Sequence, residues 1–376
     1  MTFSEIGVKP ELIAALAKQR ITDPTPIQTV AYPVLLEGKD AYLNAETGTG
    51  KTLAYLLPLF CRIDPKLAAT QLMIVAPTHE LALQIQRQCC DLAQNSGWPI
   101  STLLLIGGTV LDRQIEKLKK KPHIVVGSPG RMRELIQLGK LKAHLIKSVV
   151  IDEADRLMVE ESLPAIRDLL HVVPRDRQLV FVSATEQRES MGVIASLSPN
   201  LVMLQTAETP MNANIEHLYL ICEERDKPDI LRSLLHNMAC ERSIVFVHRT
   251  ETAETVAAKL AYHHVNVAQL HGAFDKQDRK QAMDDFRSGR ATVLIASDVA
   301  ARGLDIPGVT HIFNLDVPTL SKAYLHRVGR TARAGASGVA VTLLTEAESH
   351  LPRRYEQELG IVMQRVRLRE GQLFKV

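Results

Sequence analysis

The feature that most constrains the fold is a series of short apolar runs separated by longer stretches of helical character. In the first half of the chain these runs are rich in valine, isoleucine and leucine, and they occupy residues 40–45, 71–77, 101–108, 123–128, 148–154, 178–185 and 201–206. They lack clean apolar–polar alternation, which is typical of strands buried on both faces of a parallel sheet. Helical stretches such as residues 80–94 lie between them, so the pattern predicts an α/β fold with a doubly wound sheet.

The second half of the chain repeats the pattern. Its apolar runs occupy residues 217–223, 243–248, 265–272, 291–297, 311–317 and 339–344. Residues 206–214 carry no periodicity and contain one proline and two asparagines, which is typical of a linker. A chain of 376 residues is long enough for two domains. We therefore expect an N-terminal domain over 1–205, a linker over 206–213 and a C-terminal domain over 214–376.

Composition and cysteine content narrow the function classes. With 46% hydrophobic and 23% charged residues, the chain is typical of globular proteins. A net charge of +3 excludes a grip on nucleic acid by bulk charge but allows a local basic channel. Aromatic residues make up only 4% of the chain, which disfavours base stacking as the main binding device. The five cysteines form no CxxC pair, so a disulfide framework or a zinc site is not expected.

The sequence also indicates where in the cell the protein is found. The first residues lack a basic segment followed by an apolar one, so no secretory signal is predicted. The longest apolar stretch, residues 53–61, is shorter than the roughly 20 residues that a membrane span needs. We expect a soluble, cytoplasmic and monomeric protein.

The strongest local motif is a glycine-containing loop that follows the run 40–45 and precedes a helical stretch, the context of a P-loop. Its glycines let backbone N–H groups turn toward a phosphate, and the helix N-terminus adds a partial positive charge. Lys51 can reach the β- and γ-phosphates, and the Thr52 hydroxyl can hold Mg²⁺. The nucleotide-binding residues predicted here are Ala45, Glu46, Thr47, Gly48, Thr49, Gly50, Lys51 and Thr52.

A metal-binding carboxylate is expected at the end of a neighbouring strand. The apolar run 149–151 leads into Asp152 and Glu153. Asp152 is the predicted Mg²⁺ partner, and Glu153 is the predicted base that deprotonates the attacking water. ATP and Mg²⁺ are therefore the predicted cofactors, with Lys51, Asp152 and Glu153 as catalytic residues.

These motifs resemble those of the DEAD-box ATP-dependent RNA helicases, whose name residues 152–155 spell. The resemblance covers the chain from Phe3 to about residue 345, with the motifs in family order. It implies two tandem RecA-like parallel-sheet domains joined by a short linker. It also implies an RNA-dependent ATPase that binds single-stranded or short duplex RNA.

Residues 20–28 are similar to the family's adenine-recognition motif. The resemblance implies that Gln28 hydrogen-bonds the adenine edge and thereby disfavours other bases. It also implies that Ile21 covers the ring in place of the usual aromatic, and that Phe3 is the family's isolated upstream aromatic. Arg20 stands where the family has glycine.

Further segments resemble motifs that join hydrolysis to domain movement. The family's arginine fingers correspond to Arg330 and Arg333, which lie three residues apart on one predicted helix face. The resemblance assigns Asp305 to the ribose. The residues it assigns to interdomain coupling are Asp155, Ser183, Thr185, Arg302, His326 and Arg327.

The remaining motifs resemble the family's RNA-contacting set, in which small residues and helix N-termini bring backbone amides to phosphates without reading sequence. The residues carried over are Pro77, Thr78, Glu80, Gly107, Gly108, Pro129, Gly130, Arg131 and Arg279. The chain departs from the family at His79, Ser128 and Lys276.

The sequence thus predicts an ATP-dependent RNA helicase that locally unwinds short RNA duplexes. An ATP-gated RNA clamp or assembly platform with little unwinding is the alternative that the departures favour, and a DNA helicase or translocase is a third. Ribosomal or ribonucleoprotein assembly partners are a further prediction.

Residues near the end of the chain show a pattern that belongs to none of these motifs. Residues 361–370 alternate apolar with basic residues. An edge strand or a solvated face is the simpler interpretation, and a contribution to an anion-binding surface is the alternative.

Overall fold

The chain divides into two units, Met1–Ala207 and Glu208–Val376, each built around its own sheet. The structure is a computed structural model, and it describes residues 1–45, 48–184, 188–205, 214–238, 240–271, 274, 276–301, 306, 308–332, 336–369 and 372–376. The predicted linker, residues 206–213, lies outside the described residues, so its bounds and those of the two domains stay predictions.

In unit 1 every predicted apolar run contains a strand. The strands are β1 (Ala41–Asn44), β2 (Leu72–Val75), β3 (Thr102–Leu105), β4 (Ile124–Gly127), β5 (Ser148–Asp152), β6 (Gln178–Ser183) and β7 (Val202–Gln205). They pair in parallel in the order β3-β4-β2-β5-β6-β1-β7. The parallel sheet predicted for this half is confirmed.

The helices of unit 1 cover both faces of this sheet. They are α1 (Pro10–Lys18), α2 (Pro26–Leu36), α3 (Lys51–Arg62), α4 (His79–Ser96), α5 (Leu111–Leu118), α6 (Pro129–Gln137), α7 (Ala154–Leu157), α8 (Leu163–Val172) and α9 (Arg188–Leu197). Successive residues of β5 enter opposite cores: Val150 packs with α1–α4, whereas Val149 and Ile151 pack on the other side. Burial on both faces explains why the runs show no apolar–polar alternation.

Unit 2 has the same plan. Its strands are β8 (Ile215–Ile221), β9 (Ser243–Phe246), β10 (Val267–Leu270), β11 (Val293–Ala296), β12 (His311–Asn314), β13 (Gly338–Leu344), β14 (Met363–Arg369) and β15 (Gln372–Lys375). Its helices are α10 (Lys227–Asn237), α11 (Thr250–Tyr262), α12 (Lys276–Ser288), α13 (Asp298–Ala301), α14 (Ser321–Val328) and α15 (Leu351–Leu359). The strand order is β10-β11-β9-β12-β13-β8-β14-β15, and among the described strands β14 and β15 form the antiparallel pair. No helix in the described ranges is long and apolar enough to cross a membrane.

Candidate functional site

The loop between β1 and α3 is built for close approach to its backbone. Gly48 and Gly50 have φ angles of 85° and 83°, in the left-handed region that glycine adopts most readily. A Cβ atom on Gly50 would lie 2.4 Å from Gln28 Nε2. Since α3 begins at Lys51, the N–H groups and positive dipole end of that helix lie at the end of the loop. Glu46 and Thr47, predicted as nucleotide-binding residues, lie outside the described residues.

Gln28 joins the predicted adenine-recognition segment to this loop. Its side chain is buried, its Nε2 donates to the Gly50 carbonyl at 3.1 Å, and its Oε1 accepts from the Thr25 backbone N–H at 3.0 Å. Ile21 is partly buried against the core, and Phe3 is 1% exposed within it. The structure therefore places Phe3 as a packing residue, and its contact with a nucleotide stays a prediction.

Asp152 ends β5 as a buried carboxylate. Its Oδ2 accepts from the Tyr55 hydroxyl and its Oδ1 from the Glu153 backbone N–H, both at 2.9 Å. Burial, followed by repulsion from Glu153, raises the pKa of Asp152 to about 6, although the positive charge of Lys51 acts in the opposite direction. Because Tyr55 belongs to α3, this hydrogen bond fixes the helix that carries the loop to the strand that carries the carboxylate.

Thr52 and Asp152 were predicted to hold Mg²⁺, and the surroundings of Asp152 fit that role. The raised pKa shows that the positive charge of Lys51 compensates the buried carboxylate only in part, and a divalent cation would supply the rest. Among the described residues no cluster of three histidine, cysteine or acidic side chains could hold a metal. Mg²⁺ commonly binds through one or two carboxylates together with substrate phosphates and water, so a single carboxylate beside this loop suits it.

Glu153 occupies an unusual backbone conformation directly after the strand. Its φ and ψ of 49° and 52° lie in the left-handed region, which costs a non-glycine residue free energy and is enriched at functional sites. Arg156, three residues later, donates to Glu153 Oε2 at 2.9 Å. The structure thus gives the predicted base an arginine neighbour that the sequence motifs do not indicate.

Two of the predicted coupling residues of unit 1, Ser183 and Asp155, lie next to this centre. Asn44 of β1 and Asp152 of β5 flank β6, whose last residue is the buried Ser183. The Ala45 backbone N–H donates to the Ser183 carbonyl at 3.2 Å, and Lys51 Nζ donates to the Ala45 carbonyl. Asp155 is buried in α7, which packs against β5 and β6. Thr185 lies outside the described residues, and the coupling roles of Asp155, Ser183 and Thr185 stay predictions.

The predicted RNA-contacting residues of unit 1 lie at one edge of the sheet. They follow three adjacent strands, β2, β4 and β3, at their carboxyl ends; they are Pro77, Thr78, Glu80, Gly107, Gly108, Pro129, Gly130 and Arg131. Gly127 lets β3 and β4 run close together, because a Cβ there would lie 1.9 Å from the Leu105 carbonyl oxygen. The structure therefore brings together residues spread over about 55 positions of the sequence.

Helix N-termini supply much of this edge. Thr78 caps α4 by accepting the Leu81 N–H at 3.2 Å, and α6 begins at Pro129 after Ser128. Arg131 is largely buried, pairs with Glu134 at 3.0 Å and donates to the Thr109 carbonyl at 3.4 Å. Arg131 thus braces the turn after Gly107 and Gly108. His79, the departure from the family, is the first residue of α4, and its Nε2 lies 3.7 Å from a Cβ built on Gly107.

In unit 2 the buried Arg327 is held entirely inside the domain. Its guanidinium makes a two-point ion pair with Asp298 at 2.6 and 2.7 Å. It also donates to Asn314 Oδ1 at 3.2 Å and to the Asp316 carbonyl at 2.5 Å, and it lies 4.9 Å from the centre of the Phe246 ring. Arg327 therefore fixes α14 to α13, β12 and β9, so any coupling role that it has acts through the position of α14.

The other predicted residues of unit 2 are described only in part. Arg330 is buried just after α14, and Arg279 is partly buried in α12. His326 lies in the last turn of α14. Arg302, Asp305 and Arg333 lie outside the described residues, and of Lys276 only the backbone is described.

Known proteins of the resembled family match both halves of the chain. Residues 25–192 match the DEAD/DEAH box helicase family, and residues 226–335 match the helicase conserved C-terminal domain. The DEAD-box ATP-dependent RNA helicase CshC of Bacillus cereus is 39% identical over 97% of this chain and 93% of its own length. The probable ATP-dependent RNA helicase YfmL of Bacillus subtilis is 39% identical over 90% and 89% of the two chains.

The fold is also found in a solved structure. Dbp5 of S. cerevisiae, bound to RNA and ADP BeF3, superposes with a TM-score of 0.85 at 31% identity, over 97% of this chain and 95% of Dbp5. Fold and motifs together define a nucleotide-binding enzyme with tandem RecA-like domains. The chain belongs to the DEAD-box ATP-dependent RNA helicase family, as the sequence predicts.

Proposed function

We propose that this chain binds single-stranded RNA across its two domains and locally unwinds short RNA duplexes, with unwinding coupled to ATP hydrolysis. One observation carries the proposal: the loop at the start of α3 is tied to the buried carboxylate of Asp152 through Tyr55. That hydrogen bond joins the helix that begins at the glycine loop to a buried carboxylate, which supports the proposal because hydrolysis of a nucleoside triphosphate needs a phosphate-binding backbone next to a carboxylate for the metal.

In the proposed reaction, Lys51 and the loop N–H groups bind the β- and γ-phosphates, and Gln28 reads the adenine edge. Thr52 and Asp152 would hold Mg²⁺, which would neutralise charge on the phosphate oxygens. Glu153 takes a proton from the attacking water. Arg330 and Arg333 stabilise the charge on the γ-phosphate in the transition state, a role worth about 10³–10⁵ in rate.

The RNA is proposed to follow the carboxyl edge formed by the ends of β2, β3 and β4. Backbone amides and helix N-termini there contact phosphates, which fixes the strand without reading its bases. Base-pair steps are worth roughly 1.4 kcal/mol each in DNA, so bending one strand to disrupt a few steps releases a short duplex and leaves a long one paired.

The overall proposal is tested by RNA-stimulated ATP hydrolysis and strand displacement. We expect RNA to stimulate ATPase activity well beyond the level reached with single-stranded DNA, and we expect displacement of a short duplex but little of a long one. Equal stimulation by single-stranded DNA would favour a DNA translocase. The Glu153→Gln variant tests the base: hydrolysis should fall about 10²–10⁴-fold with ATP binding retained. A wild-type rate in that variant would exclude Glu153 as the base.

A clamp with little unwinding is the second candidate, and His79 is the observation that favours it. An imidazole stands beside the Gly107 turn where the family has arginine, and loss of the guanidinium with its paired N–H donors weakens the hold on phosphate. ATP-dependent RNA binding without displacement of the short duplex would select this candidate.

The finer parts of the proposal need separate measurements. Mg²⁺ dependence is tested by chelation, and a monomeric state by light scattering. Cytoplasmic location and ribosomal or ribonucleoprotein partners are tested by fractionation and by crosslinking the protein to cellular RNA. Proteolysis between residues 205 and 214 tests the proposed domain boundary.

A further inference from the structure

The alternating segment near residue 365 forms β14, whose two sides differ in character. Val366 is buried in one core of unit 2, and Leu368 packs beside it. On the other side Arg365, Arg367 and Arg369 are all exposed. Residues two apart on a strand share a face, so the three guanidinium groups form a row with about 6.7 Å between neighbouring Cα atoms.

The charge of this row is not neutralised within the described structure. None of the three arginines makes an ion pair with a residue that the structure describes. Glu356, in the preceding helix α15, accepts the Met363 backbone N–H at 2.9 Å, at the far end of β14 from Arg369. A row of unpaired guanidinium groups creates a local positive potential, although the net charge of the chain is only +3.

An exposed aromatic ring accompanies the row. Phe374 of β15 pairs directly with Arg367 of β14, so the two side chains project from the same face of the hairpin. Phe374 is 49% exposed, which is high for so large an apolar side chain. Positive side chains along a track with an aromatic ring among them are the elements with which proteins hold unstacked single strands.

The hairpin also has a defined place in the sheet. Arg365 pairs with Tyr219 of β8, and β8 ends two residues later at Ile221, so Arg369 lies beyond the end of β8 on the carboxyl side. The RNA-contacting residue predicted for unit 2, Arg279, lies in α12 after β10, and β14 lies six strands from β10, or roughly 29 Å. A ligand on this face is therefore separate from Arg279.

We propose that the β14–β15 hairpin is an accessory site for single-stranded RNA. Arg365, Arg367 and Arg369 bind successive phosphates, and Phe374 stacks on a base. The proposal rests on the proposed RNA-dependent function, because the RNA held at the core motifs supplies the strand that reaches the hairpin. Binding of a second segment of the same RNA is intramolecular, so a weak contact here raises the affinity for long RNA and leaves that for short RNA unchanged.

Single-stranded RNA fits this face better than an acidic protein segment does. The spacing of the row is comparable with that of successive phosphates in an unstacked strand. An exposed ring has a matching partner in a base, since every base offers a π-face.

The test compares two single-stranded RNAs, one no longer than the core footprint and one several times longer. In the triple variant Arg365→Gln, Arg367→Gln and Arg369→Gln, the affinity for the long RNA should fall about tenfold, and its salt slope should become less steep by about 2. The affinity for the short RNA and its half-maximal concentration for ATPase stimulation should stay at the native values. The Phe374→Ala variant should bind long RNA about fivefold more weakly with an unchanged salt slope.

The hairpin offers a matched control. Lys375 pairs with Val366 on the opposite face and makes an ion pair with Glu216 at 3.1 Å. Lys375→Gln removes the same charge from the same hairpin as Arg367→Gln, so it should leave long-RNA affinity unchanged while Arg367→Gln lowers it.

Native affinity for long RNA in the triple variant overturns the proposal. Equal losses for short and long RNA also overturn it, because the residues would then act through the core. If poly-glutamate binds the hairpin and excess long RNA does not displace it, the ligand of the hairpin is an acidic protein segment and the proposal is wrong. A different result would show that the proposed RNA-dependent function itself is wrong. In that case the native protein would show no ATPase stimulation even with the short RNA.

Discussion

Two buried charged groups, one in each unit, show opposite designs. Arg327 of unit 2 is 1% exposed and meets a full set of acceptors on Asp298, Asn314 and Asp316. Asp152 of unit 1 is 5% exposed, and burial raises its pKa to about 6, because Lys51 and the two hydrogen bonds that it accepts offset the loss of solvent only in part. The first charge is satisfied by the fold, whereas the second is left for a ligand.

This difference separates structural from functional charge. A buried ion whose hydrogen-bonding capacity is filled holds elements together, and removing one partner leaves the other unpaired. A buried ion that is poorly compensated lowers stability, so its presence needs another reason, and binding chemistry is the usual one. The comparison predicts loss of stability at one centre and loss of activity at the other.

The largest expected effect is on the stability of unit 2. Arg327→Gln removes the buried member of the ion pair and leaves the partly exposed Asp298 and the buried Asn314 without their donor, so the free energy of unfolding of unit 2 should fall by about 3 kcal/mol. Trp98, the single tryptophan, lies in unit 1, so its fluorescence follows that unit while circular dichroism follows both. The Trp98 transition should stay in place. The exposed Arg353→Gln is the control and should change neither transition. If unit 2 of the Arg327→Gln variant were as stable as that of the native protein, Arg327 would not be a stabilising charge.

The opposite result is expected at Asp152. Asp152→Asn keeps the size of the side chain but removes the carboxylate that would hold the cation, so ATP hydrolysis should fall about 10²–10³-fold. The Trp98 unfolding transition should not move to lower denaturant concentration, because a poorly compensated buried charge has been removed. Glu161→Gln, which removes an exposed carboxylate of the same unit, should leave both measurements unchanged. A loss of stability as large as that at Arg327 would erase the distinction between the two centres.

Much of the fold was predictable because each buried strand appears in the sequence as a short apolar run. The run 148–154, for example, contains β5 at Ser148–Asp152, and the run 339–344 contains nearly all of β13. Predicted ends ran past the strands where apolar or small residues continue into the following turn. The edge strand β15 was missed, because four residues of mixed polarity, of which Leu373 packs against a core, are too short a run to show such a pattern.

The site was predictable only as far as its motifs are contiguous. Lys51, Asp152 and Glu153 could be identified because each lies in a local motif. Tyr55 could not, since its hydroxyl bonds a carboxylate 97 residues away from within an apolar helix. Asp298 was missed for the same reason: it serves Arg327 through a contact between distant segments.

His217 tests a third way of burying a titratable group, namely keeping it neutral. Its Nδ1 lies 2.7 Å from the Tyr324 hydroxyl, and burial lowers the pKa of His217 to about 4. The unfolded chain, with a histidine pKa near 6.5, binds a proton between pH 6.5 and 4 that the folded chain does not. The stability of unit 2 should therefore be complete above pH 6.5 and fall by up to about 3 kcal/mol as the pH drops toward 4.

The control for this pH effect is His217→Asn, which has no titrating side chain. Chemical denaturation of the native protein and the variant over pH 4–7 should give stability curves that converge as the pH falls. Parallel curves would show that His217 is protonated equally in the folded and unfolded states.

The smallest expected effect concerns an arginine that contrasts with Arg327. Arg20 is exposed, follows α1 and has a φ of 61°, a conformation in which glycine carries no Cβ penalty. The family's glycine at this position is thereby explained, and Arg20→Gly should stabilise unit 1 by about 0.5–1 kcal/mol, measured by Trp98 fluorescence in denaturant. The matched variant Ala14→Gly, at an exposed position inside α1, should destabilise by about 1 kcal/mol. Replacing Arg327 would then lower the free energy of unfolding, whereas replacing Arg20 would raise it. Four acceptors hold the Arg327 side chain, whereas the backbone conformation at residue 20 disfavours any side chain. Destabilisation by Arg20→Gly would instead mean that the side chain contributes a contact that outweighs the left-handed backbone.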